Sequence, residues 1–316
     1  MNKKIVEIFP WSLAIAIGSA VFFASFPDMM YDLRGMRDAQ NTLNYYHPLY
    51  ARWLFMLLSV GPLQIMFLLL AAVSIASLYF SLRVYGGRHW MVFVSYQLLW
   101  LYFYGQIDGI IIGGLTLAYY AIERKRPVLA GLGIAIAMIK PQMSAFMILL
   151  FLWWSPSKWK TLTIPTVMIL LSFIQWGFWI PEWLNKLFGF HDIFLPTATN
   201  ISVWPITGPW VLLIWPFLAL LPIDRKHRLI AFAAGTMMSV PYFPIYSSLL
   251  VLPMQIPVLV YVIFQTAFLK PLFQSAIFDF LRVVPVILLA WALYKGVDWK
   301  NLRIPWTKPQ ANTLKS

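Results

Sequence analysis

The sequence predicts an all-α protein, a polytopic bundle of about 10–12 membrane-spanning helices, and three observations predict it. Of the 316 residues, 61% are hydrophobic and 17% aromatic, while only 11% are charged. A soluble domain carries roughly 25% charged residues, so this chain has too little polar surface to cover a water-facing globule. The apolar residues gather in runs of helix length, and the basic residues fall in short clusters between them. Such clusters orient helices in a bilayer, so the net charge of +13 does not indicate a nucleic-acid partner.

The candidate spans, in order, lie near 10–27, 62–82, 90–105, 109–122, 128–139, 142–155, 162–180, 209–222, 229–241, 243–268 and 276–294. Several are shorter than the roughly 20 residues a bilayer core requires, which points to tilted or partly buried helices. The first run follows Lys3 and Lys4 without a small-residue cleavage site, and is expected to be an anchor rather than a removed signal. Arg83 with Arg88, Glu123 to Arg126, Lys158 with Lys160, and Asp224 to Arg228 form basic loops. With Lys3 and Lys4 they are expected on the cytoplasmic side. The opposite face then receives 28–61, 105–108, 140–141, 181–208 and 241–244. The tail bearing Lys295, Lys300, Arg303, Lys308 and Lys315 also reads as cytoplasmic. Eleven spans leave it outside, and a split of 243–268 at Pro253 and Pro257 restores the parity.

Two external segments exceed ordinary connections. Residues 28–61 contain an amphipathic stretch from Pro48 to Leu58, which either lies in the interface plane or forms a short span. Residues 181–208, rich in Trp, Phe, Pro and Thr, read as a folded loop at headgroup level. No repeat of about 20–50 residues interrupts the chain, so 1–316 reads as a single integral membrane domain.

Cysteine is absent, which excludes disulfides, thiolate catalysis and Cys-based metal sites. The histidines at 47, 89, 191 and 227 show no metal-ligand spacing, and there is no Asp-x-Asp pair, so metal independence is expected. Chemistry-bearing residues concentrate on the non-cytoplasmic face: Asp28, Asp32 and Asp38; Gln106 and Asp108; Lys140; and His191, Asp192 and Asn200. Carboxylates, a lysine and amides on one membrane face suit a reaction that needs a base and anion stabilisation. Each also has a plainer reading. Lys140 either neutralises a phosphate or snorkels to lipid headgroups. Asp108 serves a site or caps a helix, and Gln106 is otherwise a turn residue. If 28–40 is helical, Asp28 and Asp32 share a face.

Five stretches carry a family resemblance: Asp32-Leu-Arg-Gly-Met-Arg-Asp-Ala39, Tyr46-His-Pro-Leu-Tyr50, Gly105-Gln-Ile-Asp-Gly109, Gly131 through Ile139-Lys-Pro141, and Ser239-Val-Pro-Tyr-Phe-Pro-Ile-Tyr246. In this order they resemble the polyprenyl-phosphate-sugar-dependent glycosyltransferases of the GT-C superfamily, and most of all the mannosyltransferase-like family 87 group. The resemblance covers most of 1–260. The chain lacks a Gly-x-x-Pro-Tyr element in its first loop and has His47-Pro48 instead.

The resemblance implies a multi-pass enzyme of the cell membrane, acting on the non-cytoplasmic face. It would move a mannose-like hexose or a pentose from a polyprenyl-phosphate donor to a glycan or glycolipid acceptor. No cofactor is implied. Asp32 or Asp28 would be the general base, and direct displacement would invert the anomeric carbon. Lys140, Arg34 and Arg37 would lie near the donor phosphate. Gln106, Asp108, His47, His191 and Tyr242 complete the implied substrate-binding set. Two other classes stay open from the residues alone: a transporter or flippase of a lipid-linked or small anionic substrate, and a non-catalytic membrane scaffold.

Overall fold

The computed structural model describes residues 3–38, 47–185, 200–269 and 280–299, with side chains from Pro10 onward in the first stretch. Among these residues the regular structure is helical, apart from isolated bridges between Asn200 and Pro244 and between Ile223 and Val297.

Helix α1 (Lys3–Ala24) leads through a 3₁₀ turn (Pro27–Met29) into α2 (Tyr31–Asp38). Met30, Leu33 and Met36, at i, i+3 and i+6, are fully buried and seat α2 by one face. Asp28 lies in the 3₁₀ turn, so the expectation that it shares a helical face with Asp32 is not met; Pro27 restarts the chain ahead of α2. The amphipathic stretch forms a 3₁₀ turn (Leu49–Ala51) running into α3 (Arg52–Ser59). Eleven residues at 1.5 Å each give about 16 Å, too short to cross a bilayer.

The apolar runs then become α4 (Leu63–Tyr85), α5 (His89–Phe93), α6 (Tyr96–Tyr104), α7 (Asp108–Glu123), α8 (Pro127–Ala137), α9 (Pro141–Trp154) and α10 (Lys158–Trp176). The expected span 90–105 is broken at Val94, where Ser95 caps the new helix by accepting from the Leu98 N–H at 3.1 Å. Pro127 and Pro141 occupy first helical positions, where a missing N–H costs nothing. The α7–α8 contact requires glycine: a Cβ on Gly133 would come within 2.5 Å of the Gly114 carbonyl oxygen and the Ala118 nitrogen. A one-turn helix (Trp204–Thr207) and a 3₁₀ turn (Gly208–Leu213) lead into α11 (Ile214–Leu220), followed by α12 (Arg225–Ser239), a 3₁₀ turn (Ile245–Leu250), α13 (Val258–Gln265) and α14 (Val283–Gly296). The expected split of 243–268 is present, with Pro257 at the N-cap of α13.

The basic loops meet at one end. Arg225 pairs with Glu123 at 2.6 Å and lies over the Trp154 ring, while Arg228 lies over Trp153. Helices α7, α8 and α9 connect this end to the opposite one, where Asp108 and Lys140 stand.

Among the described helices, α4 alone is long and apolar enough to cross a membrane by itself. His89–Tyr104 and Asp108–Glu123 pass the same test only as a pair bent by 118°. Helices α8, α11 and α13 are shorter than the spans expected over 128–139, 209–222 and 243–268, whereas α7, α9 and α10 match or exceed theirs in length. The αL glycine at Gly105 ends α6, and Pro127, Pro141 and Pro257 start new helices, so several apolar runs are divided. Large apolar side chains nevertheless face outward along α1, α4 and α10, among them Trp11, Val21, Leu69, Val73, Leu170 and Ile174.

Candidate functional site

Three turns and helix α2 deliver the site. Gly105 ends α6 in the left-handed region (φ +68) and is packed so closely against Leu33 that a Cβ would meet the Leu33 side chain. This turn brings Gln106 and Asp108 beneath α2, which carries Asp32. Lys140, at the N-cap of α9, enters from the α8–α9 junction, and the 3₁₀ turn after Pro244 supplies Tyr246 and Ser247.

The side chains form one connected network. The Lys140 ammonium donates to Asp108 Oδ1, to Gln106 Oε1 at 3.2 Å and to Ser247 Oγ at 3.5 Å. Ser247 donates in turn to Asp108 Oδ2 at 2.5 Å. Gln106 Nε2 donates to Asp32 Oδ2 and to the Tyr246 hydroxyl at 3.2 Å. The Lys140 ammonium also lies 5.1 Å from the centre of the Tyr246 ring. Lys140 is 3% exposed and Asp108 fully buried, so their mutual attraction is much stronger than the same pair would feel in water.

Asp32 stands at the rim of this network, half-buried. Burial raises its pKa to about 6; Lys140 and the Gln106 hydrogen bond oppose that rise, and Asp108 adds to it. A carboxylate with a pKa near neutrality is suited to taking a proton. Next to Lys140, His47 Nδ1 lies 2.8 Å from the Ile139 carbonyl. Burial, then the nearby Lys140 charge, lowers the His47 pKa to about 3. The ring is therefore neutral and donates its Nδ1–H to that carbonyl, bracing the chain one residue before Lys140.

The residues expected from sequence thus divide. Asp32, Gln106, Asp108 and Lys140 come together, and His47, just before the Leu49–Ala51 turn, supports them by its bond to the α8–α9 junction. Tyr242 is half-buried, four residues before Tyr246. Asp28 is 97% exposed and pairs with Arg34, which also donates to the Asp28 carbonyl. It stands outside the network. Asp38 is exposed at the end of α2. Arg37, on the same helix, has a buried Nη1 with no hydrogen-bond partner among the described residues. Asn200 serves the backbone: it accepts from the Ser202 and Phe243 N–H groups and donates to the Pro241 carbonyl. His191 and Asp192 lie outside the described residues.

Lys140 differs most from its sequence reading. It was expected to offer an ammonium to a phosphate or to headgroups, yet all three of its N–H donors face protein acceptors. Ser247 was not singled out, and Tyr246 entered only as a motif residue without a role. Their signal in the sequence was the late Ser239–Tyr246 motif, whose last residue is Tyr246 and which stops one short of Ser247.

A model of the family described as glycosyltransferase family 87 matches residues 45–221, more than half of the chain. The matched stretch contains His47, Gln106, Asp108 and Lys140 and begins after Asp32. No curated protein and no solved structure matches the chain.

Proposed function

Because the chain belongs to glycosyltransferase family 87, we propose that it is a polytopic membrane enzyme that transfers a sugar from a polyprenyl-phosphate donor, with Asp32 as general base. The sugar is a mannose-like hexose or a pentose, and the acceptor is a glycan or glycolipid on the non-cytoplasmic face. The observation that carries this reading is the Asp32 carboxylate, half-buried, raised to about 6 by burial and held by Gln106. The outward apolar faces of α1, α4 and α10, together with the basic loops gathered at the end away from Asp32, support the membrane setting. An apolar groove of about 530 Å³ between α1 and α4, lined by Leu13, Ile17, Val21, Leu68 and Ile75, suits the donor's isoprenoid chain.

In this mechanism an acceptor hydroxyl passes its proton to Asp32 as its oxygen bonds to the anomeric carbon. The bond from that carbon to the phosphate oxygen breaks, and the polyprenyl phosphate leaves with the electron pair. A single base and a direct displacement invert the anomeric centre, unlike the two-carboxylate route of retaining enzymes. The leaving phosphate is already a stable anion, so no acid is required on its side. Since Lys140 is engaged by Asp108, the phosphate falls to Arg34 and Arg37 on the Asp32 helix. Base catalysis of this kind contributes about 10²–10⁴-fold.

The test is transfer in proteoliposomes containing the purified protein and radiolabelled polyprenyl-phosphate mannose, with nucleotide-linked mannose as the comparison. The proposal expects sugar to leave the lipid donor only. Transfer from the nucleotide sugar contradicts the donor assignment, and movement of the lipid across the bilayer without transfer contradicts the enzyme reading.

A further inference from the structure

We propose that Gln106 is a positioning residue for Asp32, and that the buried Lys140–Asp108 pair holds the Gln106 amide in one orientation instead of binding substrate. The inference rests on Asp32 being the base.

An amide side chain has two ends of nearly equal size, and its neighbours decide which end points where. Here the neighbours leave no choice. An ammonium can only donate, so Lys140 requires the carbonyl end of Gln106, 3.2 Å away. The amino end is then turned to Asp32 and to the Tyr246 hydroxyl. Rotating the amide by half a turn would set N–H against ammonium and carbonyl oxygen against carboxylate, two repulsive contacts in place of two attractive ones. A carbonyl that accepts from a cation also makes its own N–H groups stronger donors. Lys140 therefore acts on Asp32 both through space and through the amide.

The other partners fit a fixed strut. Asp108 neutralises Lys140, and Ser247 bonds the second Asp108 oxygen at 2.5 Å. His47 grips the Ile139 carbonyl at 2.8 Å, fixing the backbone from which Lys140 extends. With three acceptors for three N–H donors and 3% exposure, Lys140 would have to break this set to reach a phosphate. The ionisable groups facing Asp32 are Lys140, Asp108 and the Tyr104 hydroxyl.

Two readouts separate positioning from ligand binding. The first needs no substrate: an infrared difference titration of the full chain in lipid nanodiscs, with Asp32→Asn identifying the Asp32 carboxyl band. The second is transfer from polyprenyl-phosphate mannose. Gln106→Leu should move the Asp32 midpoint up by about one pH unit or more, since a hydrogen bond to the charged form is lost. It should lower kcat by at least about tenfold and leave the donor KM within about twofold. Lys140→Met with Asp108→Asn keeps the interior neutral and carries the test should Gln106→Leu fail to accumulate. It should shift the midpoint in the same direction and lower kcat without raising the donor KM. A raised donor KM with an unmoved midpoint in the double variant would overturn the proposal and make Lys140 a phosphate ligand. If Asp32→Asn is inactive while Gln106→Leu matches wild type in both readouts, positioning fails and the base assignment survives. If Asp32→Asn transfers normally, the base assignment fails and the inference falls with it.

Discussion

Lys140 and Asp108, 32 positions apart in the sequence, form an ion pair inside the protein, with side chains 4% and 0% exposed. Taking two charges out of water is expensive, and their attraction offsets that cost only when the remaining hydrogen-bonding positions are also filled. Ser247 and Gln106 fill them. The pair is therefore better understood as a device that fixes geometry than as a source of stability.

Breaking one side of it should be far worse than removing both. Lys140→Met leaves Asp108 charged and buried without its counter-ion, held only by Ser247, which costs about 3–5 kcal/mol. Lys140→Met with Asp108→Asn should recover most of that loss. Thermal unfolding in detergent measures both, and a single variant as stable as wild type would show that Asp108 has another way to discharge.

The rate of transfer should follow the ionisation of Asp32. With its pKa raised to about 6 by burial, kcat/KM should climb with pH through about 6 and level off above about 7. An ordinary aspartate would place that limb near about 4. The folded state holds this proton more tightly than the unfolded chain does, so stability should fall as pH rises between about 4 and 6. Activity and stability thus run in opposite directions across this window. A rate that stays flat down to about pH 4.5 would contradict the assignment.

Arg37 should matter more to the donor than Arg34. Its Nη1 is buried without a partner among the described residues, whereas Arg34 is 41% exposed and already paired with Asp28. Arg37→Gln is expected to raise the donor KM about tenfold, the effect of losing one charged phosphate contact. Arg34→Gln should change it less. Equal and small effects in titrations with polyprenyl-phosphate mannose would move the phosphate elsewhere.

Orientation is open to direct labelling because the chain contains no cysteine. A cysteine at position 125, in the basic loop, should react with an impermeant maleimide only from the cytoplasmic side. A cysteine at 28, where the native side chain is 97% exposed, should react only from the other side. Reversed reactivity would invert the topology and put the Asp32 network in the cytoplasm.

Much of this arrangement was legible in the sequence because it rests on local rules. Apolar runs gave the helices, and Pro127, Pro141, Gly86 and Gly105 mark ends that proline and αL glycine dictate. Gln106, Asp108 and Lys140 stood out as polar residues at the edges of apolar runs. Pairing was not legible, because it depends on which loops meet. Nothing local says that Lys140 finds Asp108, or that Ser247, 139 positions from Asp108, completes the set. The placement of Asp28 was misjudged for a local reason that the sequence did contain, since Pro27 opens a separate 3₁₀ turn before α2. The span expected over 90–105 was drawn as one run because hydropathy does not register where a chain turns, here at Val94.

The central claim, that Asp32 is the base, is tested most directly by Asp32→Asn assayed beside Asp28→Asn for transfer from polyprenyl-phosphate mannose in proteoliposomes. Asparagine keeps the shape and accepts the Gln106 hydrogen bond through its carbonyl, but it takes no proton at neutral pH. The account predicts that Asp32→Asn loses transfer by at least about 10²-fold while still binding the donor, and that Asp28→Asn retains most of its activity. Normal transfer by Asp32→Asn, or loss confined to Asp28→Asn, would contradict it.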